Sequence, residues 1–264
     1  MTIPRETSGQ RELAATSKAR TVLRRGTIVE RPAPHNASAI HRHLLALRQC
    51  GFDAAPSPVG FTPEGREQLT FMPGDVARPP YADWVMTTDA LTSVGKLLRR
   101  LHEAAAAVPV DRSVPWPQDL ADPAADPAGK TLLCHNDVSL NNVVFQDGLA
   151  VALIDFDMAA PGRPLWDVAI AARYWALLLA PASAPTRLRV LADSYGLGPQ
   201  ERAVLPATIE QVTEVCRAFV AARVAAGDPT YVKRLAARGG WERWDRLQSW
   251  MTTSRDVFIS ALLS

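Results

Sequence analysis

The chain has 264 residues, 47% apolar and 21% charged, with a formal net charge of +2. That is ordinary globular composition with room for a substantial core, and no block of like charge calls for a nucleic acid or a membrane surface. No apolar run reaches the roughly eighteen residues of a membrane span, the N-terminus lacks the apolar core of a secretory signal, and Cys50, Cys134 and Cys216 are too scattered for a disulfide framework or zinc cluster, so the expected home is the reducing cytoplasm.

Residues 1–19 are small and polar and read as a loose arm. "ARTVLRRGTIVERP" then reads as a hairpin ended by Pro32. "NASAIHRHLLALRQCGF" reads as a helix capped by Asn36 or Ser38, with apolar residues at Ile40, Leu44, Leu45 and Leu47 and a stop at Gly51. Val59–Phe61 and Gln68–Met72 read as short strands around a "PEG" turn. Strands plus one helix predict a small α+β lobe over 1–73, with a hinge near 70–75. Residues 74–264 read as a larger, mainly helical lobe. It opens with the helix "DALTSVGKLLRRLHEAAAA", whose Leu91, Val94, Leu97, Leu98 and Leu101 share a face. A Pro-, Asp- and Ala-rich loop covers 109–129. "PLWDVAIAARYWALLLA" reads as a buried helix, and the last eighty or so residues as helices broken at "GLGP", "GDP" and "GG". The tryptophans, Trp166, Trp175, Trp241, Trp244 and Trp250 among them, read as core.

Between these lies "LLCHNDVSLNNVVFQDGLAVALIDFDM". "TLLC" is strand-like and leads into a tight polar loop carrying Asp137. "VVF" and "LAVALID" flank the turn signal Asp147–Gly148 and form a hairpin. In an antiparallel hairpin the start of one strand lies beside the end of the next, so Asn142 and Asp155 meet at one end. An amide oxygen beside a carboxylate is a hard-oxygen site suited to Mg²⁺. Asp137, close by, is placed to accept a proton from a hydroxyl. That is the layout of phosphoryl transfer, in which metal clamps the phosphates and a base orients the nucleophile.

These residues resemble the catalytic loop of the aminoglycoside phosphotransferase and choline kinase group, small-molecule relatives of protein kinases. His135, Asp137 and Asn142 match the H-x-D-x-x-x-x-N spacing, "IDF" matches the group's I-D-W/F, and "GRPLWDVA" looks like its G-x-P-x-x-D-L-A segment. The resemblance implies a two-lobed protein-kinase-like α+β fold and transfer of a phosphoryl group from Mg·ATP or Mg·GTP to a hydroxyl of a small molecule. The acceptor would be an aminoglycoside or other antibiotic, or a choline, homoserine or sugar metabolite. By the same resemblance Asp137 is the base, Asn142 and Asp155 hold metal, and the backbone at Thr70 and Met72 meets the purine. Arg31 stands where the small lobe's phosphate-pairing lysine would be.

His135 and Asp167 read as braces of the loop, and Ser139 as a supporting or simple loop residue. Asp157 reads as a turn residue or a contact to metal or substrate. Glu210 and Glu214, at i and i+4, share a helix face; they are solvated, or else receive a cationic acceptor. Two features depart from the group. "ELAATSKARTV" holds no glycine to cover phosphates, and "NASAIHRHLLALRQ" holds no acid to pair with Arg31, a charge that His41 and His43 do not replace in kind. They leave open a rival reading, a nucleotide-binding pseudo-kinase without transfer activity.

Overall fold

The computed structural model describes residues 11–13, 22–126 and 131–264. The first sheet is antiparallel. Its strands are β1 (Arg11–Leu13), β2 (Val22–Arg25), β3 (Ile28–Pro32), β4 (Pro58–Phe61) and β5 (Arg66–Thr70), in the order β1-β2-β3-β5-β4. Within the stretch expected to be loose, Arg11–Leu13 pairs with β2; the rest of that stretch lies outside the described residues. Gly26, at φ +62°, turns β2 into β3, as the "RRG" signal predicts. Helix α1 (Ala37–Gln49) packs beside the sheet, burying Ile40, Leu44 and Leu47 with His41 and His43 on the same inward side. Asn36 sits at its N-cap but makes no side-chain cap bond.

After Thr70 the chain enters the second region. β6 (Asp75–Val76) pairs with β8 (Val143–Gln146), which forms the expected hairpin with β9 (Leu149–Leu153). Gly74, at φ +135°, lets the connector pass so close that a Cβ there would lie 2.3 Å from the carbonyl oxygen of Phe145. A second strand pair joins β7 (Leu132–Cys134) to β10 (Ala160–Gly162) and closes the loop that carries Asp137.

The helices α2 (Thr88–Ala105), α3 (Pro164–Ala172), α4 (Ala184–Tyr195), α5 (Pro199–Ala225), α6 (Pro229–Ala237), α7 (Gly240–Thr253) and α8 (Arg255–Leu263) build the larger lobe. Thr87 caps α2 by accepting from the Ala90 amide. Apart from Asp167, α3 is apolar on every side, and it is wholly inside from Leu165 to Ala172, as a central helix must be. Where one continuous helix was expected, α3 passes into a π-helical turn over Arg173–Leu178. Trp166 and Trp175 are fully buried, whereas Trp241, Trp244 and Trp250 are only partly covered. No single helix among the described residues is long and apolar enough to cross a membrane.

α2 packs closely on α4 because Gly95 leaves room for the Ser194–Tyr195 corner. A Cβ on Gly95 would stand 3.0 Å from the Ser194 Cβ and 3.1 Å from the Tyr195 amide nitrogen. Gly95→Ala should therefore destabilise the protein by roughly 1–3 kcal/mol, although alanine favours an open helix by up to about 1 kcal/mol. Urea unfolding reads the sign, and a stabilised variant would contradict this packing.

Candidate active site

The loop that carries Asp137 runs from β7 to β8 and is held from beneath by one buried carboxylate. Asp167, on the first turn of α3, accepts hydrogen bonds from the backbone amides of His135 and Asn136, both at 2.7 Å, and from His102 Nε2 at 3.1 Å. Burial works against its charge, but His102 and these donors hold its pKa below the usual carboxylate value. His102, on α2, faces the Tyr195 hydroxyl at 2.7 Å through its other nitrogen. His135 spans the loop. Its Nδ1 accepts from the Asp137 amide at 3.2 Å and its Nε2 donates to the Ile154 carbonyl at 3.0 Å. Burial lowers its pKa, so the ring is a neutral brace. Trp175 Nε1 adds a bond from the π-helical turn to the Val138 carbonyl at 3.3 Å.

On this frame Asp137 faces the open end of the hairpin. Asn142 Nδ2 donates to its Oδ2 at 2.8 Å and to its backbone carbonyl at 3.0 Å, and the Ser139 hydroxyl also bonds its carboxylate. The Asn142 amide oxygen takes a bond from Asn141 Nδ2 at 3.2 Å. Val143 pairs with Leu153, and the Ile154 amide donates to the Asn142 carbonyl at 2.9 Å, so Asn142 and Asp155 do lie at the same end. Asp155 adopts a left-handed backbone at φ +68°, and Asn136 does so at φ +61°. Such backbone is uncommon outside glycine and is retained where it aims a functional group. Burial, and then the charge of Asp155, push the Asp137 pKa up to about 7, with Asp157 adding to it.

Arg31 offsets this crowding. From β3 its guanidinium bonds Asp155 at 2.7 Å, Asp157 at 2.5 Å and Glu67 at 2.5 Å. Burial opposes its charge, yet the three carboxylates more than compensate and its pKa is raised. Glu67, only 1% exposed, lies opposite Arg31 on β5, and His41 Nε2 on α1 bonds its second oxygen at 3.0 Å. The missing acid of α1 is thus supplied by β5, with His41 fixing it. This corrects the expectation that the small lobe lacks such a pair. Strand alternation carried the signal, since Glu67 and Leu69 share the buried face of "REQLT".

The other expected residues divide. Asp157 is buried and joins the Arg31 cluster. Glu210 is bound by Arg255, at 2.9 and 2.5 Å, with Thr252 nearby, and Glu214 meets Gln248 at 3.4 Å. At the hinge the Thr70 amide donates to the Ser57 carbonyl at 2.9 Å, so only the Thr70 carbonyl, not its N–H, remains a candidate purine contact. The Met72 amide has no backbone acceptor among the described residues. Sequence reading missed Asp122, which clamps Arg163 at 2.6 and 2.9 Å just ahead of α3. The donors at the hairpin end are hard oxygens crowded by like charge, and they fit a divalent cation.

The raised Asp137 pKa has a measurable sign. The folded state holds this proton more tightly than the unfolded chain, so this contribution is fully present below about pH 4 and is lost as pH rises through about 7. Asp137→Asn should match the parent near pH 4 and melt roughly 3–6 °C higher at pH 8, if the uncharged amide relieves about 1–2 kcal/mol. Equal melting temperatures at both pH values would refute the shift.

The sequence pattern of the phosphotransferase enzyme family matches residues 111–205, which include the Asp137 loop, the hairpin and α3. A trifolitoxin immunity protein from Rhizobium leguminosarum bv. trifolii is 32% identical over 208 residues, covering 72% of this chain and 76% of that protein. The fold is similar to a choline/ethanolamine kinase family protein from Mesorhizobium loti, with a TM-score of 0.67, 17% identity and coverage of 97% and 93% of the two chains. It is also similar to the streptomycin–ATP–APH(2")-IIa ternary complex, with a TM-score of 0.55, 13% identity and coverage of 85% and 90%.

Proposed function

Because the chain belongs to the phosphotransferase enzyme family, we propose that it is an active kinase moving the γ-phosphoryl group of ATP or GTP to a hydroxyl of a small molecule. The observation that carries this reading is Asp137. Its carboxylate is oriented by Asn142 and Ser139, has a pKa near working pH, and stands beside Asp155 at the hairpin end. In the reaction the acceptor hydroxyl gives its proton to Asp137 and its oxygen bonds the γ-phosphorus. The bond from that phosphorus to the β–γ bridging oxygen breaks, and its electron pair leaves on the nucleoside diphosphate. Asn142 and Asp155 would hold Mg²⁺, which would neutralise charge on the phosphates. Arg31 would contact the phosphates, with Glu67 and His41 fixing its direction. Met72 and the Thr70 carbonyl would receive the purine. Most of the acceleration would come from positioning and electrostatics.

Likeness to a trifolitoxin immunity protein favours an acceptor that is a toxin or antibiotic over a housekeeping metabolite. The three cysteines are free, which suits a reducing compartment such as the cytoplasm. One feature favours the rival, a nucleotide-binding pseudo-kinase: the Arg31 guanidinium bonds the carboxylates of Asp155 and Asp157 that would face a metal. Phosphate transfer from labelled ATP or GTP, across a panel of antibiotics and amino-alcohols, separates the two. Transfer should occur, and Asp137→Asn should lower it by roughly 10²–10⁴-fold with nucleotide affinity kept. Full turnover by that variant would remove Asp137 from its role, and nucleotide binding without transfer to any acceptor would favour the pseudo-kinase.

A further inference from the structure

The guanidinium of Arg31 lies between two sets of acids. On the side of the small sheet its Nε donates to Glu67 Oε1 at 2.5 Å. Glu67 faces it across the β3–β5 ladder and accepts at its other oxygen from His41 Nε2, at 3.0 Å. The His41 ring in turn stacks on Phe61, with centroids 4.7 Å apart and planes 19° from parallel. That side of the guanidinium is therefore anchored through β5, α1 and β4. On the hairpin side Nη1 donates to Asp155 Oδ1 at 2.7 Å and Nη2 to Asp157 Oδ1 at 2.5 Å. The two sides differ in access: the side chain of Asp155 is 38% exposed and that of Glu67 only 1%.

The arrangement uses the geometry of a guanidinium. Its five N–H donors lie in one rigid plane and serve three carboxylates at once, whereas a lysine would bring a point charge with three rotatable donors. A divalent cation needs the same carboxylates. Mg²⁺ bonds oxygen at about 2.0–2.1 Å, so on Asp155 it would stand against a cation already bonded there. Two cations on one pair of acids repel each other strongly where water is scarce. A free ion thus competes with Arg31 and brings nothing that Arg31 could take in exchange. A metal–nucleotide complex does bring it: phosphate oxygens can accept from the η nitrogens as the metal takes the carboxylates. With Nε kept on Glu67, the guanidinium would turn about a fixed point.

We propose that Arg31 determines the form in which the site accepts metal: its η nitrogens close Asp155 and Asp157 to a free divalent cation and yield them to a metal–nucleotide complex, whose phosphates take the guanidinium in exchange. This rests on the phosphotransferase reading above. The contact that favoured a pseudo-kinase becomes a selector for the co-substrate.

The test titrates Mn²⁺ alone, read by the electron paramagnetic resonance of the free ion, and Mn·ATP and Mn·GTP, read by calorimetry. Mn²⁺ stands in for Mg²⁺ at oxygen ligands. The proteins are wild type, Arg31→Lys and the double variant Arg31→Met/Glu67→Gln. The glutamine removes the buried acid that Arg31→Met would leave unpaired. Free Mn²⁺ should bind the double variant at least about tenfold more tightly than wild type, with Arg31→Lys between them. At least one Mn·nucleotide should show the reverse order, binding wild type about tenfold more tightly than the double variant. A general loosening of the site would instead weaken both ligands together. Equal free-Mn²⁺ affinity in wild type and folded variants, or loss of both ligands, overturns the proposal. If the double variant does not fold, Arg31→Lys decides by the same two orders. Nucleotide binding by wild type without this crossover rejects the selector alone, whereas absence of nucleotide binding rejects the kinase reading itself.

Discussion

Three carboxylates, Asp137, Asp155 and Asp157, converge at one end of a two-stranded hairpin, and their mutual repulsion is the constraint around which the molecule is arranged. Left uncompensated, such a cluster would protonate or spread apart. Arg31 reaches across from the small sheet to neutralise two of the three, so the same contact that relieves the repulsion also joins the sheet to the β8–β9 hairpin. A metal–nucleotide complex offers the other solution to the same electrostatic problem. The site is therefore built to hold positive charge, and the proposed chemistry uses that demand.

Repulsion can be sustained only on a rigid frame. Asp167 supplies it by fixing two consecutive amides of the Asp137 loop, while His102 and His135 carry the bracing to α2 and to the carbonyl of Ile154. None of these groups need touch a substrate. Each sits at the end of an apolar element, α2, α3 or β7, so burying the core and orienting Asp137 are one event.

Much of this was legible from residue order. Hairpin turns at Gly26 and Asp147–Gly148 follow from local chemistry, and the meeting of Asn142 with Asp155 follows from antiparallel geometry alone. Asp167 was read as a brace from its place at the start of an apolar stretch, and it lies on the first turn of α3. What escaped was long-range: Glu67 replaces an expected helix acid from a neighbouring strand, and nothing local to α1 reports it. Glu210 was misleading for the same reason, since its spacing to Glu214 is visible and its partner Arg255, far along the chain, is not. The π-helical turn also left no periodic signature, because Arg173 and Tyr174 sit inside an uninterrupted helical pattern.

The account stands most directly on the claim that the hairpin end receives a metal–nucleotide complex. Calorimetric titration of ATP and GTP, with and without Mg²⁺, into the wild type and Asp155→Ala tests it. The account predicts binding of at least one nucleotide that requires Mg²⁺ and is abolished in Asp155→Ala. Affinity that is indifferent to the metal and unchanged in the variant would contradict it.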